Sequence, residues 1–88
     1  MKITFDAAKD AANLEKHGIS LAAVDCFDFA DALVMPDRRH DYGEDRFVAL
    51  GLLKQRVYVV VFAKRDDAIR IISLRKANLR ERKRYGRA

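Results

Sequence analysis

What this 88-residue chain is short of already removes several classes of protein. Cys26 is its one cysteine. An intrachain disulfide is therefore excluded, a reducing compartment fits, and the thiol is expected to act as a small buried hydrophobe and not as a nucleophile. No apolar run approaches the roughly 18 residues of a membrane span, and Met1 to Asp6 lacks the apolar stretch of a signal peptide, so the cytoplasm is expected and a membrane is not. Proline occurs once and glycine four times, while 50% of residues are apolar and 35% charged. That composition describes a folded domain, not a disordered basic tail. No paired His or Cys spacing is present. Asp37, His40, Asp41, Glu44 and Asp45 are of ligand type, but Arg38, Arg39 and Arg46 interleave with them, and the segment reads as a solvated loop with no metal and no cofactor. Gly43 and Gly51 have no phosphate-loop context, and no nucleophile elbow occurs. With neither repeat nor linker, residues 1–88 read as a single domain.

What is present is positive charge, gathered at one end. Arg75 to Ala88 holds seven of the eighteen Lys and Arg residues and one of the thirteen acids, Glu81. Its formal charge is +6, against −1 for residues 1–74. Such an end suits a polyanion.

Periodicity supplies the elements. Ile3 to Phe5 can form a strand; Asp6 offers an N-cap to a helix from Ala7 to His17, and Gly18 ends it. Ser20 can cap a second helix, running to about Ala30, with Leu21, Val24, Cys26 and Phe27 as its apolar stripe. Ala32 to Met35 reads as a short strand before Pro36, followed by a polar turn region up to Gly43. Arg46 to Leu52, Arg56 to Ala63 and Ala68 to Leu74 are rich in Val, Ile, Phe and Tyr, and the short breaks between them predict hairpins. The basic segment from about Lys76, with Asn78 near its start, reads as a short terminal helix. The expected fold is α+β: two N-terminal helices on one face of an antiparallel sheet of about four strands, the other face partly open. Strict alternation would put Ile69, Ile71, Ser73 and Arg75 on one side of the last strand and Arg70, Ile72 and Leu74 on the other. Arg70 among isoleucines needs a carboxylate, for example Glu44 or Asp45, or an anion in an open groove. Both readings stay open.

Three pieces of the chain carry a resemblance: Asn13-Leu14-Glu15-Lys16-His17-Gly18-Ile19-Ser20; Glu44-Asp45-Arg46-Phe47; and Arg70-Ile71-Ile72-Ser73-Leu74-Arg75-Lys76-Ala77 followed by Glu81-Arg82. Together, in this order and spacing, they resemble the BrnT family of type II toxins over essentially the whole chain. Phe5, Ala7 and Leu74 depart from the pattern, which more often has Trp, Pro and a small residue there. The resemblance implies a RelE-like ribonuclease fold, inhibition of translation by RNA cleavage, and neutralisation by a BrnA-like ribbon-helix-helix antitoxin, with operator DNA contacted only through the antitoxin complex.

Metal-free RNA cleavage needs a group to take the 2′-hydroxyl proton, cations to stabilise the pentacoordinate phosphate and an acid for the leaving oxygen. His17 titrates nearest neutrality, and Lys16 beside it would favour the neutral imidazole. Position alone favours a helix C-terminal cap for His17; the resemblance, in which Lys-His-Gly is part of the pattern, favours proton transfer. Arg70, Arg75 and Arg82 cannot act as bases but can fork onto phosphate oxygens. Tyr85 can stack on a base, donate its proton, or simply anchor the last helix to the sheet. Glu81, amid positive charge, would orient an arginine, with Glu44 in a similar supporting place. Arg46, Lys76, Arg80, Lys83 and Arg84 would attract the RNA backbone. The competing reading is a noncatalytic module that binds nucleic acid or a protein partner through the same charge.

Overall fold

The computed structural model describes residues 2–39, 41 and 43–87, with Arg87 described for its backbone alone. His40 of the polar turn region lies outside the described residues. The elements, in order, are β1 (Lys2–Phe5), α1 (Ala7–His17), a 3₁₀ helix (Leu21–Cys26), β2 (Leu33–Pro36), β3 (Arg46–Leu53), β4 (Arg56–Arg65), β5 (Ala68–Lys76) and α2 (Leu79–Arg87).

The five strands form one sheet in the order β1-β5-β4-β3-β2. Strands β2 to β5 run antiparallel, β3, β4 and β5 through two-residue turns and β2 to β3 through the longer loop 37–45, but β1 lies parallel to β5 with Ile3 opposite Ile69. The sheet is therefore mixed and five-stranded, not antiparallel with about four strands. A first strand separated from its partner by most of the chain is not bound to the hairpin direction, and only the fold sets its sense. The turn between β3 and β4 takes Lys54 and Gln55 through φ +51° and +70°, the left-handed pair that matches the twist of a two-residue hairpin.

The second N-terminal helix is also corrected. It is a six-residue 3₁₀ helix ending at Cys26, not a longer helix reaching Ala30. Its cap is the expected one, Ser20 Oγ accepting from the Ala22 amide at 3.1 Å. The buried residues Leu21, Val24 and Phe27 repeat every three residues, the period at which 3₁₀ side chains line up in one row. Cys26 falls outside that row and is exposed, contrary to the expectation of a buried thiol. Phe27 then turns extended and bridges to Leu53. Gly51 makes this close pass possible: a Cβ there would come within 2.7 Å of the Phe27 ring and 3.2 Å of the Asp28 carbonyl oxygen. Gly51→Ala is expected to destabilise the fold by about 1–3 kcal/mol through overpacking, read as a lower urea midpoint at unchanged m-value.

The first face of the sheet packs Val60, Phe62, Ile69, Ile71 and Leu74 against Leu21, Val24 and Phe27. The 3₁₀ helix spans only about 12 Å at ~2 Å per residue, whereas the ten residues of β4 run to about 33 Å at ~3.3 Å each. An uncovered apolar cavity of about 430 Å³ remains beyond its reach, lined by Ile3, Phe29, Val34, Phe47, Phe62, Lys64 and Ile69. The second face, expected to be partly open, carries Leu50, Val59 and Ala77, with Tyr85 of α2 packed on them.

Strict alternation fails in β5. Val61 pairs with Ser73 but Phe62 with Ile71, so Ile72 is an extra residue, a β-bulge. A bulge shifts the alternation by one. Leu74 consequently joins Ile69 and Ile71 in the first-face core, fully buried, which accommodates its departure from the family pattern. Arg75, opposite Val59, and Arg70, opposite Ala63, both belong to the second face. Their partners are four positions apart on β4, which sets them about 13 Å apart along the sheet at ~3.3 Å per residue.

Candidate active site

Helix α1 begins and ends where its sequence dictates. Asp6 caps it through the Ala8 amide at 3.0 Å, and Gly18, at φ +72°, closes it by donating to the Leu14 carbonyl at 2.8 Å. Its docking is mostly polar. Asp10 Oδ1 accepts from Ser20 Oγ and from the Leu21 amide, both at 2.8 Å. Asn13, 5% exposed, uses every polar valence of its side chain that faces the sheet: Nδ2 donates to the carbonyls of Leu74 at 2.8 Å and Ile19 at 2.9 Å, and Oδ1 accepts from the Leu74 amide at 3.1 Å. β1 ends opposite Ile71. Beyond that point the Asn13 amide serves as the neighbouring strand for Leu74. Asp10, Asn13 and His17 follow at i, i+3 and i+7, the spacing of one helix face, which directs His17 toward the strand end where Arg75 stands.

His17 is exposed at its edge, and its pKa is lowered from 6.5 by the part of the ring taken out of water, then by the charges of Lys16 and Arg75. Lys16 and Arg75 thus both act on the imidazole. The helix dipole alone would favour imidazolium; here the opposing influences win, and the shift favours the neutral ring. The His17 ring proton shifts followed by NMR should titrate below pH 6.5, and Lys16→Ala should move the midpoint upward by removing a like charge. An unchanged midpoint would count against that coupling.

Arg75 is gripped from behind. Its Nη1 and Nη2 donate to Glu81 Oε1 and Oε2, each at 2.8 Å. Glu81 also closes the start of α2: its Oε1 accepts from the Asn78 amide at 2.9 Å while Asn78 Oδ1 accepts from the Glu81 amide at 2.8 Å, a reciprocal capping box. The Arg75 bonds, against a smaller opposing cost of burial, hold the Glu81 carboxyl below its ordinary range, helped by the Asn78 amide. The Glu81 bonds in turn raise Arg75, with burial and the charge of Arg39 opposing.

Arg70 is elsewhere. Its Nη2 donates to Glu44, which also accepts from Arg65 at 3.1 Å and from Arg46 at 3.3 Å. The bonds from Arg65, with those of Arg46 and the charge of Arg70, lower the Glu44 pKa against the cost of burial. The ion pair with Glu44 expected for Arg70 is present. The Arg70 Nε is buried without a partner.

Between the loop after β2 and α2 the second face forms a groove of about 420 Å³. Met35, Val48, Leu50, Val59 and Val61 floor it; Arg38, Arg39, Arg75, Arg80 and Arg84 line it. Arg80 and Arg84 are one helical turn apart and so share a side of α2, while Arg82 projects about 160–200° away from them and is exposed. Lys76 and Lys83 are exposed outside the groove. Tyr85, half-buried, packs against the Leu50, Val59 and Ala77 cluster, the contact of an anchor. Arg38 and Arg39 were not legible as site residues, because the loop reads as solvated; the signal was Asp37, an acid set just after the strand-ending Pro36 and two residues before Arg39. Among the described residues no group of three or more His, Cys, Asp or Glu converges, and no helix is long and apolar enough to cross a membrane.

The carboxylate-held Arg75 thus lines an arginine-rich groove on one side, and its charge reaches the imidazole at the end of α1. A family model described as ribonuclease toxin, BrnT, of type II toxin–antitoxin system matches residues 5–81. The chain belongs to the BrnT family. The crystal structure of the Brucella abortus ribonuclease toxin BrnT is similar, with a TM-score of 0.73 and 30% sequence identity over 89% of this chain and 97% of that one. Among curated proteins, no sequence match is found. BrnT membership makes this a toxin of the ribonuclease class, and a type II system implies an RNA substrate and an antitoxin partner.

Proposed function

We propose that residues 1–88 act as one RelE-like, metal-independent endoribonuclease domain in the cytoplasm, inhibiting translation until a BrnA-like ribbon-helix-helix antitoxin covers it. The observation that carries this reading is the Arg75–Glu81 fork, whose arginine lines the groove and whose charge, with that of Lys16, favours the neutral form of His17. His17 takes the 2′-hydroxyl proton, a role open to the neutral ring, as the 2′-oxygen bonds to phosphorus; the P–O5′ bond then breaks and the leaving 5′-oxygen takes a proton from water. Arg75 keeps its charge as the phosphorane forms, and Arg80 and Arg84 draw the backbone along the groove. Arg82, Lys16, Lys76 and Lys83 add general attraction, and Arg46 and Arg70 extend the positive path on the same sheet face. An antitoxin segment rich in carboxylates would neutralise the groove and be steered to it, and operator DNA would be reached only through that antitoxin.

Purified protein incubated with single-stranded RNA in chelator-containing buffer should leave 2′,3′-cyclic phosphate or 3′-phosphate ends, and His17→Ala should lose them. Salt-sensitive binding with no cleavage by the wild type would instead identify a binding module.

A further inference from the structure

The groove holds a second carboxylate-anchored guanidinium that the proposed chemistry leaves unused. The Asp37 side chain is 2% exposed, and Arg39 forks onto it through Nε to Oδ1 and Nη2 to Oδ2, both 2.9 Å. The Asp37 amide is tied to the Arg46 carbonyl at 2.8 Å, which fixes this corner to the start of β3. A buried, two-point grip sets the plane of a guanidinium, yet the Arg39 side chain remains 69% exposed. Such a residue is oriented by the protein and presented to solvent. Arg75 is held in the same manner by Glu81 and lines the same groove. The two arginines are near enough for the charge of Arg39 to act against that of Arg75. Bringing like charges together costs free energy, which an anion bound by both would return.

We propose that Arg39 and Arg75 form the two sides of a single phosphate site for RNA, with Asp37 as the positioning residue of Arg39. The assignment rests on RNA as the substrate. It makes the loop after β2 part of the substrate site, and it gives each phosphate-facing arginine its own rigid carboxylate.

Two short single-stranded RNAs of one sequence test it in the full chain. A 2′-O-methyl version lacks the nucleophile and reports binding; the unmodified version reports cleavage. Arg39→Ala should weaken binding of the 2′-O-methyl RNA about tenfold and reduce the slope of log affinity against log salt by about one. It should also lower kcat on the unmodified RNA by about tenfold or more. Lys9→Ala, an equal charge change on an exposed position of α1, should alter each within about twofold. Asp37→Asn makes the chain more positive, so simple attraction predicts tighter binding and unchanged cleavage. Positioning predicts that kcat falls about fivefold or more while binding does not weaken. Arg39→Lys, which keeps the charge and loses the fork, should retain the salt slope and lose kcat, and it serves where Asp37→Asn melts early. Arg39→Ala matching Lys9→Ala in both assays would overturn the assignment and leave RNA cleavage standing. If the wild type binds the 2′-O-methyl RNA and cleaves nothing, the ribonuclease reading fails, and the salt slope of Arg39→Ala still decides whether Arg39 contacts phosphate.

Discussion

Arg75→Ala is expected to cleave RNA on the order of 10²–10³-fold more slowly than the wild type while remaining folded. Removal of one preorganised donor from a charge-developing site costs about that factor, roughly 2.7–4 kcal/mol of transition-state stabilisation. The stability cost is much smaller. The Arg75 and Glu81 side chains are 37% and 21% exposed, and partly solvated ion pairs contribute about 1 kcal/mol or less. Urea denaturation and single-turnover cleavage on the same preparation separate the two; a loss of activity that merely tracks a loss of folded protein would sink the catalytic role. Arg75→Lys should sit between, because an ammonium keeps the charge but cannot reproduce the two-point fork. Glu81→Gln divides the two tasks of that residue. Glutamine still closes a capping box, so α2 should persist, while the anchoring of Arg75 weakens and cleavage falls. The depressed Glu81 pKa has a pH signature as well. Its stabilising contribution is complete above the ordinary carboxylate range and is lost as pH falls through the lower folded value. Glu81→Gln should therefore flatten that part of the acid limb of stability.

Asn13→Ala should cost about 3–5 kcal/mol. The substitution removes three hydrogen bonds and strands the amide and carbonyl of Leu74 beside a fully buried side chain, at about 1–3 kcal/mol for each unsatisfied buried group. Against total stabilities of about 5–15 kcal/mol for small domains, such a loss leaves a marginal fold. The urea midpoint measures it directly. If the variant is too unstable for that, amide exchange at Leu74 in a milder Asn13→Ser variant should accelerate far more than at Val60, which sits in the middle of the sheet. Equal acceleration at both would mean that Asn13 stabilises the domain globally and not by serving as the strand partner of Leu74. Because Asn13 and His17 share a face of α1, the same change should also loosen the approach of His17 to Arg75.

Much of this was written in short-range patterns. The Asp6 and Gly18 ends of α1, the Ser20 cap and the three hairpin strands each depend on neighbours within a few residues, and each stands where the sequence puts it; α2 starts at Leu79 and not at about Lys76, because β5 continues through Lys76. The same holds for the segregation of charge into the last fourteen residues and for the motif pieces that carry the family resemblance. The other features needed contacts between distant segments. The parallel pairing of β1 with β5, the 3₁₀ row under Phe27 and the exposure of Cys26 follow from how layers pack, which no local propensity encodes.

The site shows the division most sharply. Sequence alone determined which side chains could serve, since His17 and the arginines are the groups able to move a proton or hold a phosphate. Tertiary structure decided which of them meet. The extra residue at Ile72 shifts the alternation of β5, so Arg75 and Arg70 share a face that strict alternation would deny them, and the distance between their partners on β4 then separates them again. Arg70 consequently falls to Glu44 and Arg75 to Glu81, and it is the charge of Arg75 that reaches His17. Arg39 joins Arg75 because the loop after β2 folds over the same groove. The physical reason is one of range: caps, turns and charge runs act over a few bonds, whereas a bulge phase or a groove wall is set by strands far apart in the chain.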